Sequence, residues 1–444
     1  MTKPINTSGN DRSTRRATRY LRLTVALSVL LSAAFNAVAQ GSWNRVAHSQ
    51  GNLQLTIEPG QWGGTPWSQT GYLPVYDPIT GDSIYGCEYP RGSQRMYWSG
   101  DLVLGAVSGR DTLATWIWGS GIGDRASLWK IRSSHPSSPY YSRHASSDLD
   151  LECLLHDTVT RPIIYWTRWE WAPHLPLEVI GRQRSMAWSG SLVDDFILID
   201  YEITNVGVEV LRDAYVGLWC ASYEPFPNTG NGDNLTGFLS QYRFSDLCEH
   251  VDVINLAYSM DADGDPEGGR FSLQSRRGSV GVMLLGSSSD DLDIGYTWVV
   301  WDAAEAEDWG PRRRQTEHEP YRSFNPYFAW PGSDRNLYYI LSHPHIAYDQ
   351  MFSAVDHFGW LPAWKYAEQV ASGWPFQVFY SFGPFEIPAK DKISFTIAVV
   401  GGDNVHNDPF AYFDPNNPQP YYDQLDFSEL AGIPKGPFFP KAYF

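Results

Sequence analysis

Between residues 195 and 204 the side chains alternate, with Ile197, Ile199, Tyr201 and Ile203 on one face and Phe196, Leu198, Asp200 and Glu202 on the other. That period of two belongs to a strand and to no helix. Asn205-Val206-Gly207 breaks the run and a second strand, 214–220, follows closely, which predicts an antiparallel pair. Similar text recurs at 53–57 ahead of Pro59-Gly60, at 97–106, at 112–118 and at 393–399 ahead of Gly401-Gly402. With 39 glycines and 30 prolines cutting the chain, long helices have no room, and the one helix expected is short, over 361–371. An aromatic content of 15% favours strands further. The fold class is therefore all-β, as one large antiparallel β-sandwich or as two β-sandwich units with long loops such as 133–147. No fixed repeat period is present, so a propeller or solenoid is not expected.

The length suits one very large sandwich or two domains. The division expected is a leader at 1–39, an N-terminal β-rich domain at 40–185, a C-terminal β-sandwich domain at 186–410 and a Pro- and aromatic-rich tail at 411–444. The leader has a basic start (Arg12, Arg15, Arg16, Arg19 and Arg22), an apolar run from Val25 to Val38, and small residues at Ala37-Val38-Ala39. This is the pattern of a cleaved secretory signal, and it places the protein in the medium or on the cell surface. Arg15-Arg16 leaves twin-arginine export as the lesser alternative, since Ala17 and Thr18 stand where an apolar residue is expected. No later stretch is long and apolar enough for a membrane helix, so no transmembrane segment is expected in the mature chain.

The whole chain carries a net charge of -17, and removal of the leader, with six basic residues and one acidic, makes it -22. Such a surface repels nucleic acid, and no basic stretch interleaved with aromatic residues offers a groove for it. Export also bears on Cys87, Cys153, Cys220 and Cys248: an even count outside the cell predicts disulfides, and loop closure favours Cys87 with Cys153 and Cys220 with Cys248. Free buried thiols are the alternative. No CxxC pair is present to suggest zinc.

Three patterns offer sites. Residues 163–171 read as a strand with rings on both faces, Trp169 and Trp171 on one and Trp166 on the other. Either the strand is buried on both sides, or the rings stack on the faces of sugars. Asp261, Asp263 and Asp265 stand at alternate positions with Gly264 among them, a set of oxygens suited to calcium as a structural ion. The loop is not an EF-hand, since Pro266 replaces its glycine and Ser272 its bidentate glutamate; a solvated acidic turn is the other reading. His343 and His345, with Asp349, Asp356 and His357, hold transition-metal ligand types without the spacing of a metalloprotease helix.

Several segments resemble an uncharacterised family of exported proteins of environmental bacteria, many of which end in a cell-surface sorting or anchoring module. They are Tyr89-Pro-Arg-Gly-Ser93, Gln183-Arg-Ser-Met-Ala-Trp188, the strand text from Asp194 to Asn205, Asp213-Ala-Tyr-Val-Gly-Leu-Trp219 and Phe382-Gly-Pro-Phe385. The resemblance implies a secreted or surface β-sandwich and carries over no catalytic residues. No nucleophile elbow, phosphate loop or dinucleotide fingerprint is present. The expected function is binding of an extracellular glycan or protein, or service as a structural subunit, without catalysis. The alternative is a polysaccharide-processing hydrolase or lyase, which requires two or more carboxylates, or a set of Tyr, His and Arg, gathered in one aromatic-lined cleft.

Overall fold

The computed structural model describes residues 45–63, 74–93, 95–96, 98–116, 129–159, 174–222, 234–242, 252–264, 275–300, 310–314, 334–343, 345–408 and 410–432. The strands through the first third of the chain are β1 (Val46–His48), β2 (Gln54–Glu58), β3 (Gln61–Gly63), β4 (Val75–Tyr76), β5 (Ser83–Ile84), β6 (Cys87–Glu88), β7 (Arg95–Met96), β8 (Trp98–Ser108) and β9 (Asp111–Trp116). Next come β10 (Lys130–Arg132), β11 (Leu149–Asp157), β12 (Val179–Ala187), β13 (Phe196–Asn205), β14 (Leu211–Ser222) and β15 (Asn234–Tyr242). The last are β16 (Asp252–Asp261), β17 (Ser279–Ser287), β18 (Asp293–Val300), β19 (Phe376–Ile387) and β20 (Lys392–Gly402).

Among the described residues these strands build two large antiparallel sheets and one small hairpin, β4-β5. The first sheet runs β18-β19-β14-β8-β3-β2-β6-β7, with β1 on β2 and β9 on β8, and the second runs β10-β11-β12-β13-β20-β17-β16-β15. The all-β sandwich expected from the alternation is what forms. Its inner faces meet in one core that joins Leu102, Leu104, Val216, Leu218, Val378 and Tyr380 of the first sheet to Leu151, Ile199, Ile203, Val282, Ile397 and Val399 of the second. Residues 45–444 form one compact unit. The division expected at 185/186 falls inside β12, and both sheets take strands from either side of it.

Two expectations need correction. β13 and β14 do not pair with each other: β13 lies between β12 and β20 in the second sheet, and β14 between β8 and β19 in the first. Both strands carry apolar residues on both faces, which suits the middle of a covered sheet, so the turn after Asn205 carries the chain from one sheet to the other. Nor are Cys87, Cys153 and Cys220 bridged. They are free thiols on β6, β11 and β14, buried in the core between the sheets as small apolar side chains, and burial pushes each thiol well above its ordinary pKa. Cys248 lies outside the described residues.

The outer faces are covered in part. On the first sheet the helix Asp334–Leu341 sets Leu337, Ile340 and Leu341 against Val103, Tyr215, Trp219, Val299 and Phe379. On the second, Val405, Tyr421, Phe427 and Leu430 pack over Phe196, Leu256, Tyr258, Met283 and Val400. The short helices Gln419–Tyr422 and Ser428–Gly432 carry Tyr421 and Leu430 of that cover. The described part of the 411–444 tail is thus a packed layer. The helix expected over 361–371 occupies only Ala367–Ala371.

Among the described residues, the free edge of β15 is met by side chains and by no further strand. Thr236 N donates to Gln350 Oε1 at 3.1 Å and Phe238 N to Asp349 Oδ1 at 2.8 Å. Gln350 Nε2 in turn donates to the carbonyls of Asn234, Val370 and Trp374. Capping of this kind satisfies the groups that would otherwise recruit another strand.

Candidate functional site

Near the cap of β15, the outer face of the second sheet holds an open recess of about 240 Å³. Leu235, Met351, Ala371, Phe413 and Tyr421 line it, and Asp263 and Ser372 supply polar groups. Phe413 and Tyr421 meet edge to face at 5.4 Å. The wall behind is fixed by His406, whose Nε2 donates to Asp261 O at 3.0 Å while Nδ1 lies 3.3 Å from Tyr421 Oη. Tyr421 Oη also donates to Ala262 O at 3.1 Å. Burial holds His406 below the ordinary histidine pKa, which favours the neutral ring; with Nε2 donating to Asp261 O, Nδ1 can only accept, and it competes with Ala262 O for the single hydroxyl hydrogen of Tyr421.

The acidic turn reaches this recess. Asp261 is buried, and its Oδ1 accepts the backbone N–H groups of Asp263 at 3.1 Å and Gly264 at 2.7 Å. This Asx-type closure, with Gly264 at φ +77°, is what aims Asp263 outward. Asp265 lies outside the described residues, as do Trp166, Trp169 and Trp171. Among the described residues no three His, Cys, Asp or Glu side chains gather as metal ligands.

The histidine set expected downstream is dispersed. His343 Nδ1 donates to Tyr339 O at 2.6 Å. The His345 ring stands edge-on to Trp360 at 5.5 Å. His357 stacks on Tyr348 at 4.0 Å and its Nε2 donates to Phe352 O. Asp356 accepts from Ala363 N, and Asp349 is spent on the β15 cap. Burial and the neighbouring Arg313 push His345 down to about 4.

A second polar group lies on the outer face of the first sheet. Strand register puts Glu58 opposite Gln61, Gln61 opposite Asp101, Asp101 opposite Trp219 and Trp219 opposite Phe379, one row across five strands. Glu58 is paired with Arg45 at 3.0 Å. Burial first, and then the charge of Glu58, raise Asp101 well above the carboxylate range, against a lowering hydrogen bond from Gln61. Burial also raises Glu58, against Arg45. One turn feature fixes this row: Gln183, from the facing sheet, accepts from Gly60 N at 2.6 Å and donates to Glu58 O at 3.2 Å. Neither Glu58 nor Asp101 was singled out by motif, yet a signal was present. Each is an acid opposite the inward residues of an apolar strand, Leu55 and Ile57 in one case, Leu102 and Leu104 in the other.

No protein-family model matches this chain, and no curated protein matches it.

Proposed function

We propose that this is an exported β-sandwich protein of the cell surface or medium that binds an extracellular glycan in the recess between Phe413, Tyr421 and Asp263. The observation that carries the reading is the composition of the recess lining: an aromatic pair, apolar side chains, a carboxylate and a hydroxyl. An aromatic face takes the C–H face of a pyranose, while a carboxylate and a hydroxyl take its ring hydroxyls. Some 240 Å³ accommodates about one sugar unit, so a chain end or a single branch is the expected epitope. Export is supported by the leader text at 1–39, and the resemblance to exported surface proteins points the same way. Calcium at the Asp261 turn is a subsidiary proposal, in which the ion would order the Asp263 rim.

The test is a calorimetric and retention screen of the mature protein against a panel of oligosaccharides, with calcium and then with chelator. Binding that drops at least tenfold in Phe413→Ala, with unchanged thermal stability, supports the reading. Binding indifferent to both Phe413→Ala and Asp263→Asn refutes the recess as the site, and loss with chelator would support calcium.

A further inference from the structure

Away from the recess, the turn at residues 357–360 holds an aromatic ring out in solvent. Trp360 N donates to His357 O at 3.1 Å, and Gly359 closes the turn at φ +86°, a conformation that costs glycine nothing. Phe358 stands at the tip and is fully exposed, at 105%. The base beneath it is braced. His357 stacks on Tyr348 at 4.0 Å and donates through Nε2 to Phe352 O, while Trp360 meets Tyr348 and His345 edge-on, each at 5.5 Å. One exposed phenyl ring is ordinary by itself; the cations beside it make the difference.

Those cations lie on a short segment paired with the turn. Arg314 N donates to Gly359 O at 3.0 Å and Leu361 N to Arg312 O at 2.8 Å, so three successive arginines run antiparallel to residues 359–361. Arg313 sets its Cζ 5.1 Å from the centre of the Trp360 ring. Both Arg313 and Arg314 are exposed. Lys365, farther along the same loop, lies 4.6 Å over Tyr366. Across 310–314 and 356–366 the one carboxylate is Asp356, whose Oδ1 accepts Ala363 N. Four cations against one anion form a local excess on a chain of net charge -17. The negative field of the rest is screened beyond about 8–10 Å at physiological ionic strength, so the local excess governs a ligand in contact.

We infer that this face is a second saccharide site, built for an acidic polysaccharide whose units carry carboxylate or sulfate groups. The Phe358 ring takes the C–H face of one pyranose. Arg313 and Arg314 take the anionic groups through the paired donors of the guanidinium fork. The contact with Trp360 fixes Arg313 before the ligand arrives, which lowers the entropy lost on binding. An acidic peptide fits less well, because the backbone groups of 312–314 and 359–361 already pair with each other and offer no strand edge. A membrane surface also fits less well: Trp360 and Trp364 pack against the core, leaving Phe358 as the ring free to insert. None of these residues lines the recess, so the inference stands apart from the glycan proposed there.

The full mature chain is titrated by calorimetry with polygalacturonate, dextran sulfate, unmodified dextran and a single-stranded oligonucleotide, and sedimented with phosphatidylglycerol vesicles. Binding of an acidic polysaccharide is expected, and the choice between the two tells carboxylate from sulfate recognition. Raising sodium chloride from about 50 mM to about 500 mM should weaken it about tenfold. Arg313→Gln combined with Arg314→Gln should lower affinity about tenfold, and Phe358→Ala about fivefold. Thermal unfolding should hardly move, since all three side chains are exposed. Any dextran binding belongs to the recess and should be indifferent to these substitutions. A wild type that binds neither acidic polysaccharide, or binds them as well in every variant, would overturn the inference. So would equal binding of the oligonucleotide, which would mark a charge contact without a sugar, or Phe358-dependent capture by the vesicles, which would assign the face to lipid. The recess is scored separately with uncharged oligosaccharides and Phe413→Ala, so either reading can fail while the other stands.

Discussion

Asp349 is the group through which pH should act on the stability of this fold. Its Oδ1 takes the N–H of Phe238 on the edge strand at 2.8 Å, and its Oδ2 takes the hydroxyl of Tyr258 at 3.1 Å, with Tyr422 as a further donor. Burial nevertheless outweighs these donors and pushes the carboxyl up to about 6 from the ordinary 3.8. Because the folded value lies above the unfolded one, the unfolded chain releases this proton first as pH rises. The contribution to stability is therefore complete below 3.8, declines above it, and is gone once pH passes about 6. A displacement of that size corresponds to about 3 kcal/mol over the interval. Asp349→Asn cannot ionise and keeps an oxygen for Phe238 N. It loses at most about 1 kcal/mol of hydrogen bonding to the tyrosines, an offset independent of pH. Urea unfolding followed by tryptophan fluorescence across the acid range should show the variant gaining on the wild type by about 3 kcal/mol between acid and neutral pH. A difference curve that stays flat, or that favours the variant most in acid, would refute the argument.

Other perturbations have equally definite outcomes. A Cβ at Gly217 would overlap Leu341 Cδ2, so Gly217→Ala should destabilise by about 1–3 kcal/mol. In a double-mutant cycle Leu341→Ala should make that cost smaller, whereas strict additivity would deny the contact. Gln350→Ala strips the partner from Thr236 N and weakens three carbonyl contacts in one step. A loss of roughly 2–4 kcal/mol is expected, read by chemical denaturation, with faster amide exchange at Thr236. Cys87, Cys153 and Cys220 should resist thiol reagents in the native protein and label fully in denaturant without prior reduction, as counted by mass spectrometry. Labelling that requires a reductant would restore the disulfides.

What could be read from the sequence was local. The 195–204 alternation appears as β13, and the strand expected at 393–399 lies within Lys392–Gly402, because a period of two is dictated by the pleat alone. Pairing was not legible. A strand with apolar residues on both faces fits either sheet, so nothing local told β13 to pair with β20, nearly 200 residues on, instead of with β14. The cysteines misled for a related reason: loop length measures closure in an unfolded chain, whereas three thiols on separate strands of one core serve as packing groups. The Asp261 turn was visible as a turn, but the inward use of Asp261 Oδ1 was not, since only the fold shows which oxygen is already taken.

The same reasoning explains why the proposed recess carries no motif. A motif arises where one short segment supplies all the reacting groups, as a phosphate loop does. Here every cluster is assembled across strands: Glu58, Gln61 and Asp101 come from three neighbours in the first sheet. The recess combines β15, the Asp261 turn, the segment around Met351 and the cover at Phe413 and Tyr421. In a sandwich whose inner faces form one apolar core, polar chemistry must sit on the outer faces. There strand parity, and not sequence proximity, decides which side chains meet.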